Sequence, residues 1–333
     1  MTRRLARPVG ITATGQHYPE RVVTNDDLTA FMDTTDEWIR TRTGISERRW
    51  VEPGQGASDL GAPALKMALD RRGMEAGELD ALIVATVTPD TMFPSTACRI
   101  QDKLGAKQAY GFDLSAACSG FLYALTTGAA LIASGTHRKV AVVGVDIMSS
   151  IINKEDRTTA VLFGDGAGAV ILEEVEEGSG ILDFEHFIDG SGGCYLYMPA
   201  GGSARPASAE TVANKEHYVV QHGQDVFKKA VREMAEISRL MLDRNGVDPE
   251  TLKLFVPHQA NLRIMDAAAK RLELAEGRMM VNIDRFANTT AATIPTAMHQ
   301  ASEAGRLVKG DTAVLSAFGA GFTWGAVLLK WSI

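Results

Sequence analysis

The sequence predicts an α/β fold built by internal duplication, with largely parallel sheets layered between helices. Two observations carry that expectation. Short apolar runs alternate with segments of helical period along the whole chain, and three segments of the first half recur in the same order in the second. The runs DALIVAT (80–86), KVAVVGV (139–145), KLFVP (253–257) and DTAVLSA (311–317) read as buried strands. Residues 58–72, 95–104, 119–133, 224–244, 261–272 and 289–304 read as helices.

The recurrence is specific enough to align. ELDALIVAT (78–86) sits against TLKLFVPHQ (251–259), with Leu82 and Leu254 172 residues apart. GFDLSAAC (111–118) sits against VNIDRFAN (281–288), with Cys118 and Asn288 170 apart. TAVL at 159–162, running on into FGDGAGAVIL, sits against TAVL at 312–315, running on into SAFGAGFTWGAVLL, at a distance of 153. Each of these last two reads as a strand, a glycine turn and a return strand. The shrinking offset places extra residues at roughly 146–158 of the first half. The expected units are 1–178, carrying a candidate nucleophile, and 179–333. Cys118 and Asn288 fall at equivalent points, each after a strand at the mouth of a helix, so two helix N-termini can converge on one site.

Composition narrows the class. The 333 residues are 45% hydrophobic and 23% charged, with a formal net charge of −7, which suits a globular protein without a global basic field for nucleic acid. The N-terminal MTRRLARPVG is positive but has no apolar stretch behind it, and is expected to be a short disordered or edge segment, not a signal peptide. The longest nearly uncharged apolar stretch, about 118–133, is too short to span a bilayer. Three cysteines without a CxxC pair argue against a disulfide framework or zinc site and for a reducing cytoplasm. Phosphate-loop, dinucleotide and HExxH signatures are missing from the sequence.

Three residues have the chemistry of a site. Cys118, in DLSAACSGFLYAL, follows a strand and small turn residues and opens a long helix. A thiol there feels the helix dipole and backbone N–H groups, which favour thiolate and can cradle an oxyanion. Cys98 within a helix and Cys194 in a loop have no such setting. His258 ends a buried strand, where open α/β sheets present ligand groups. Asn288 has the bland reading of a helix N-cap, weakened by its equivalence to Cys118. The glycine turn FGAGFTWG (318–325) can aim a backbone N–H near Ala320 into the same pocket. Cys, His and Asn in that order also describe a papain-like hydrolase. The SAACSG surroundings, the duplicated α/β pattern and the lack of a disulfide pattern speak against it. A non-catalytic acyl-binding protein is the other rival, but would need no activated cysteine.

The motifs DTTDEWIRTRTGI (33–45), FPSTACRIQ (93–101), DLSAACSGF, FGDGAGA (163–169), VPHQANLRI, ANTTAATIP and FGAGFTWG together resemble β-ketoacyl-acyl-carrier-protein synthase III, of the thiolase-like superfamily, over essentially the whole chain. The resemblance implies a five-layered αβαβα fold and a cytoplasmic homodimer. It also implies an acyltransferase that condenses an acyl-CoA primer with malonyl-acyl-carrier protein, using no cofactor or metal. Under it, Cys118, His258 and Asn288 match the catalytic triad, and Trp38 and Arg157 the pair flanking the CoA adenine. Arg42 matches a CoA phosphate contact and Asn261 a contact near the pantetheine arm. Phe93 matches a residue reaching across the dimer interface to the partner's acyl pocket. Gln259 to Arg263 match the carrier-protein contact region, to which Lys228, Lys270 and Arg271 add positive charge, with Lys229 and Arg232 nearby. Ala287 stands where Gly commonly precedes the Asn, and Ala320 where the middle Gly of a GGG turn is usual. The surroundings of Gln221 and His222 have no such match.

Overall fold

The computed structural model describes residues 2–333. Its first sheet contains β1 (Val9–His17), β2 (Ala81–Ala85), β3 (Tyr110–Leu114), β4 (Val140–Ile147) and β5 (Asp165–Glu174), in the spatial order β1-β5-β4-β2-β3. The second contains β6 (Gly180–Ile188), β7 (Leu254–Pro257), β8 (Thr312–Gly319) and β9 (Thr323–Lys330), in the order β7-β8-β9-β6. Beyond β7, Phe255 N–H donates to Arg278 O at 2.7 Å and Met280 N–H to Phe255 O at 2.8 Å, so a short segment holds the place that β3 holds in the first sheet. The sheets are mixed, not largely parallel. β2 is parallel to β3 and β4, and β7 to β8, but β5 and β9 run antiparallel to both of their neighbours. The return strands of the two hairpins impose that direction.

Helices fill the layers. α1 (Asp36–Thr43) lies outside them; α2 (Ala57–Arg72) and α3 (Thr96–Leu104) cover the first sheet. α4 (Gly120–Ala133) and α7 (Thr293–Glu303) pack between the sheets, while α5 (Gly223–Asn245) and α6 (Leu262–Arg271) lie on the far side of the second. The result is αβαβα. Alternation along β2 shows why its sequence is apolar throughout: Ala81, Ile83 and Ala85 join the central core, and Leu82 and Val84 the outer one. Matched burial on the other side comes from Met234, Ile237 and Met241 of α5 against Phe255, Val314 and Leu328.

The duplication is real in topology but two expected matches shift. The segment aligned with the strand Tyr110–Leu114 contains the short helix Ile283–Phe286, so Asn288 follows a helical turn and not a strand. Ala141 pairs with Leu82, and Ala313 pairs with Leu254, so β4 is the counterpart of β8 at the same 172-residue offset as β2 and β7. Residues 159–162 form turns, not a strand. Asp156 causes this: its carboxylate accepts from the Thr158 N–H at 2.9 Å and the Thr159 hydroxyl at 2.7 Å, which closes local turns that strand propensity cannot overcome. The extra residues of the first half are therefore 148–164, between β4 and β5, where the second half has only 320–322. They pack with Ile39, Ile45, Trp50 and Met265 in a separate cluster that covers the site. The N-terminal stretch leads into an edge strand, and no described helix is long and apolar enough to cross a membrane.

Candidate active site

Cys118 lies in a single 3-10 turn, Ala117–Ser119, between β3 and α4. Ala117 has φ 47°, in the left-handed region, so the chain turns sharply before the sulfur. The Ser119 hydroxyl donates to Thr323 O at 3.1 Å and the Thr323 hydroxyl to Ala116 O at 3.0 Å, which ties the turn to β9 of the other half. Gly319 presses on the same turn: a Cβ there would lie 2.7 Å from Cys118 N. The thiol is buried, and burial pushes it up to about 12, reinforced by the Asp146 carboxylate and only partly offset by the residue's own N–H. The expected thiolate is thus corrected. One short turn of aligned amides does not outweigh loss of water plus a nearby negative charge.

His258 and Asn288 are likewise fixed by short bonds. The His258 N–H donates to Ser316 O at 2.8 Å, which sets the ring at the end of β7. Burial lowers its imidazole to about 3, so it is neutral. Nδ1 lies 2.7 Å from the Thr293 hydroxyl, which also reaches Thr290 O at 3.0 Å. By donating to Nδ1, Thr293 leaves an Nε2–H donor. By accepting from Nδ1–H while donating to Thr290, it leaves Nε2 as a base. Asn288 is stitched to the first half: its N–H donates to Leu162 O at 2.9 Å and its O accepts from Gly164 N–H at 3.1 Å. Its Oδ1 accepts from the Thr290 N–H at 2.8 Å, so the amide NH2 is the end left to act. Ala287 has φ 56° and ψ −158°, a conformation suited to glycine, and costs about 1–3 kcal/mol of backbone strain.

All three residues line one cavity of about 390 Å³, which runs outward past Phe318 and Ala230 to Arg42, Arg157 and Arg263. A second, mainly apolar chamber of about 170 Å³ meets it at Cys118 and is walled by Val87, Met148, Ile151, Leu196 and Val219, with Ala320 beside them. Cys118 thus lies where a polar-mouthed tunnel meets an apolar chamber.

Comparison with known proteins decides the family. A model described as 3-oxoacyl-[acyl-carrier-protein (ACP)] synthase III matches residues 112–190, and its C-terminal counterpart matches 242–331. A beta-ketoacyl-[acyl-carrier-protein] synthase III of Solibacter usitatus is 54% identical over 97% of this chain and 98% of its own length. The chain belongs to the 3-oxoacyl-[acyl-carrier-protein] synthase III family. A Koribacter versatilis protein of the same name is 52% identical over 98% of each. The crystal structure of 3-oxoacyl-[acyl-carrier-protein] synthase III from Aquifex aeolicus VF5 has a TM-score of 0.90 at 43% identity, covering 97% of this chain and 100% of that one. The thiolase-like architecture of the family is the layering described above.

The outer residues divide into two groups under the synthase III pattern. The guanidinium carbons of Arg42 and Arg157 lie 4.4 and 5.1 Å from the Trp38 ring centroid, and Arg157 also donates to Asp33 O at 3.1 Å. Asn261 lines the tunnel but also caps α6: its Oδ1 accepts from Arg263 N–H at 2.9 Å and its Nδ2 donates to Arg42 O at 3.0 Å. Arg263, Lys228, Lys270 and Arg271 are exposed, whereas Lys229 and Arg232 pair with acids, Glu233 among them. Gln259 departs from expectation. It is fully buried, donates to Pro257 O and Met280 O at 2.8 and 3.1 Å, and accepts from Asn282 N–H at 3.0 Å, so it braces the catalytic strand end and cannot touch a carrier protein. Phe93 and Met92 stand out from the surface, 85% and 81% exposed, away from both cavities. Among the described residues no three or more His, Cys, Asp or Glu side chains are grouped to hold a metal ion.

Sequence reasoning missed the chamber wall. Gln221 lines the tunnel, and its ribbon, Val220–Gln221 with Leu196–Tyr197, forms part of the chamber roof. Segments distant in sequence meet there, and no local pattern announces it. It also missed Thr290, Thr293 and Asp146, although a lone carboxylate inside VAVVGVDI was a usable signal.

Proposed function

We propose that this protein is a β-ketoacyl-acyl-carrier-protein synthase III that transfers an acyl-CoA primer to Cys118 and condenses it with malonyl-acyl-carrier protein. The meeting of tunnel and chamber at Cys118, with His258 and Asn288 in the same wall, carries the reading. As the sulfur attacks the primer thioester, His258 Nε2 takes the thiol proton, and the tetrahedral oxyanion sits on the N–H groups of Cys118 and Ala320. The C–S bond to CoA breaks and the CoA sulfur takes the proton back. The imidazole then passes to its other tautomer by exchange with water, Thr293 turning its hydroxyl proton toward Nδ1. As malonyl-carrier protein loses CO2, its thioester oxygen, gaining enolate charge, accepts from His258 Nε2–H and the Asn288 amide. The carbanion attacks the acyl-Cys118 carbonyl, the cysteine sulfur leaves and is reprotonated, and 3-oxoacyl-carrier protein departs. Acyl-CoA and malonyl-carrier protein are substrates, and the scheme calls on no cofactor. Such an enzyme initiates fatty acid biosynthesis in the cytoplasm.

Supporting roles follow from placement. Trp38, Arg157 and Arg42 at the tunnel mouth suit the adenine and phosphates of CoA, and Asn261 its pantetheine arm. The exposed Met92 and Phe93, with the exposed Tyr110 and Phe112 on edge strand β3, suit a homodimer interface that places Phe93 against the partner's chamber. Residues 1–178 and 179–333 suit the two units, since the turn between β5 and β6 passes from one sheet to the other.

Peptide mapping after incubation with acetyl-CoA will place the adduct on Cys118. An adduct on the exposed Cys98 or Cys194 would sink the assignment. Arg263, exposed at the tunnel mouth with its guanidinium carbon 5.6 Å from the Phe227 ring centroid, is proposed to dock the acidic carrier protein with Lys228, Lys270 and Arg271. Arg263→Glu will raise KM for malonyl-carrier protein, more so at low salt, and leave acetyl-CoA acylation nearly unchanged. Equal losses with both substrates would remove Arg263 from the docking site.

A further inference from the structure

Behind the catalytic wall lies a carboxylate that the mechanism does not use. Asp146 is the penultimate residue of a strand whose other seven residues are apolar, is fully buried, and has no cationic side chain among its hydrogen-bond partners. Oδ1 accepts from the Thr86 hydroxyl at 3.0 Å, the Val87 N–H at 2.8 Å and the Thr88 hydroxyl at 3.0 Å, all on the segment that follows β2. Oδ2 accepts from the Thr290 hydroxyl and from the Ala291 N–H at 3.1 Å, both in the other half of the molecule. Two residues before it, Gly144 lets the 288–292 segment approach: a Cβ there would lie 2.3 Å from Ala291 O.

Thr290 is the point to which this leads. It is β-branched yet has φ 49°, a conformation such residues rarely adopt unless held. Its N–H donates to Asn288 Oδ1 and so turns the Asn288 NH2 outward. Its O faces the Thr293 hydroxyl, which in turn meets His258 Nδ1. The bond to Thr290 O reaches His258 only in the tautomer whose Nε2 is a base, so of the two malonyl-step donors it is Asn288 that hangs on the backbone of this residue, whose side chain is held by Asp146.

We propose that Asp146 and Thr290 form a positioning clamp that orients Asn288 for malonyl decarboxylation. Five donors on one buried carboxylate are more than a surface-facing Asp needs for stability alone, and only Thr290 among them bonds onward to the site. The clamp rests on the synthase reading. It goes beyond it in assigning a decarboxylation-specific task to Asp146, which lines neither cavity, and to Thr290, which lines the chamber beside Cys118.

The test compares the two half-reactions in the full-length protein: acetyl transfer from acetyl-CoA to Cys118, and CO2 release from malonyl-carrier protein. Asp146→Asn keeps an acceptor for three donors but turns an NH2 toward Thr290 and Ala291, where acceptors are needed. Thr290→Val keeps shape and removes the hydroxyl, and Thr290→Ser restores the hydroxyl on a smaller side chain. CO2 release is expected to fall about a hundredfold in Asp146→Asn and Thr290→Val, the scale of an ångström misplacement, with acetylation falling far less. Thr290→Ser should recover most of the lost rate. Proportional loss of both half-reactions, undiminished CO2 release in Thr290→Val, or failure of Thr290→Ser to recover would each overturn the clamp. If Asp146→Asn does not fold, the Thr290 pair decides alone. Absence of CO2 release from the unaltered protein would instead overturn the synthase reading.

Discussion

Asn288→Ala will lose malonyl decarboxylation while still accepting an acyl group on Cys118, and Cys118→Ala will do the reverse. The asymmetry follows from where charge develops. In the proposed scheme Asn288 offers its NH2, left free by the bond from Thr290 N–H to its Oδ1, to the malonyl thioester oxygen. It exchanges no proton with the thiol, so its removal is expected to cost one enolate donor, about 10²–10³ in rate. Cys118→Ala removes the only bond-forming atom of acyl transfer but leaves both enolate donors in place. His258→Ala should damage both steps, because a thiol pushed up to about 12 needs a base for acylation and the enolate needs a donor. Acyl transfer measured by intact mass and CO2 release measured by isotope separate the cases. Equal loss of both activities in a folded Asn288→Ala would mean that the residue holds the fold and not the enolate.

Gly319→Ala is expected to cost acyl transfer about a hundredfold or more without unfolding the protein. A Cβ at 319 meets Cys118 N at 2.7 Å and Ser119 N at 3.1 Å, both backbone atoms of the nucleophile's turn. Backbone cannot rotate aside as a side chain does, so either the turn or the end of β8 must move by several tenths of an ångström. The N–H that moves is the one proposed to hold the oxyanion, and loss of one such donor costs about 10²–10³. Gly202→Ala, where no atom lies within 4 Å, serves as the control. Acylation of Gly319→Ala within threefold of the control would show that the oxyanion does not depend on this contact.

The parts of the fold legible in the sequence are those decided by burial. Strands buried on both faces, such as β2 and β4, appear as continuous apolar runs, and the long helices keep their period. β1 is less visible because VGITATGQH mixes glycine and threonine with its apolar residues at a sheet edge. TAVL occurs twice and forms a strand once. At 312–315 it lies between two paired strands, whereas at 159–162 the Asp156 turn captures it. Cys118 and His258 could be found because each follows a strand where local chemistry is distinctive, whereas Asn288 follows the short helix Ile283–Phe286 and was reached only through the internal alignment. Gln259 could not be judged, since its burial depends on Asn282 and Met280 folding over it. The protonation of Cys118 was misjudged for the same reason: Asp146 is near it only after folding.

That protonation state bears on how the protein survives oxidative chemistry. Peroxides and soft electrophiles attack thiolates, and a buried thiol raised to about 12 offers them almost none at neutral pH. The exposed Cys98 and Cys194 meet such reagents first, and neither lines the tunnel or the chamber. Under the proposed scheme Cys118 becomes reactive when a substrate is seated and His258 receives its proton. Inactivators that resemble a thioester, carrying a leaving group into the tunnel, will therefore discriminate for this cysteine far better than simple alkylating agents.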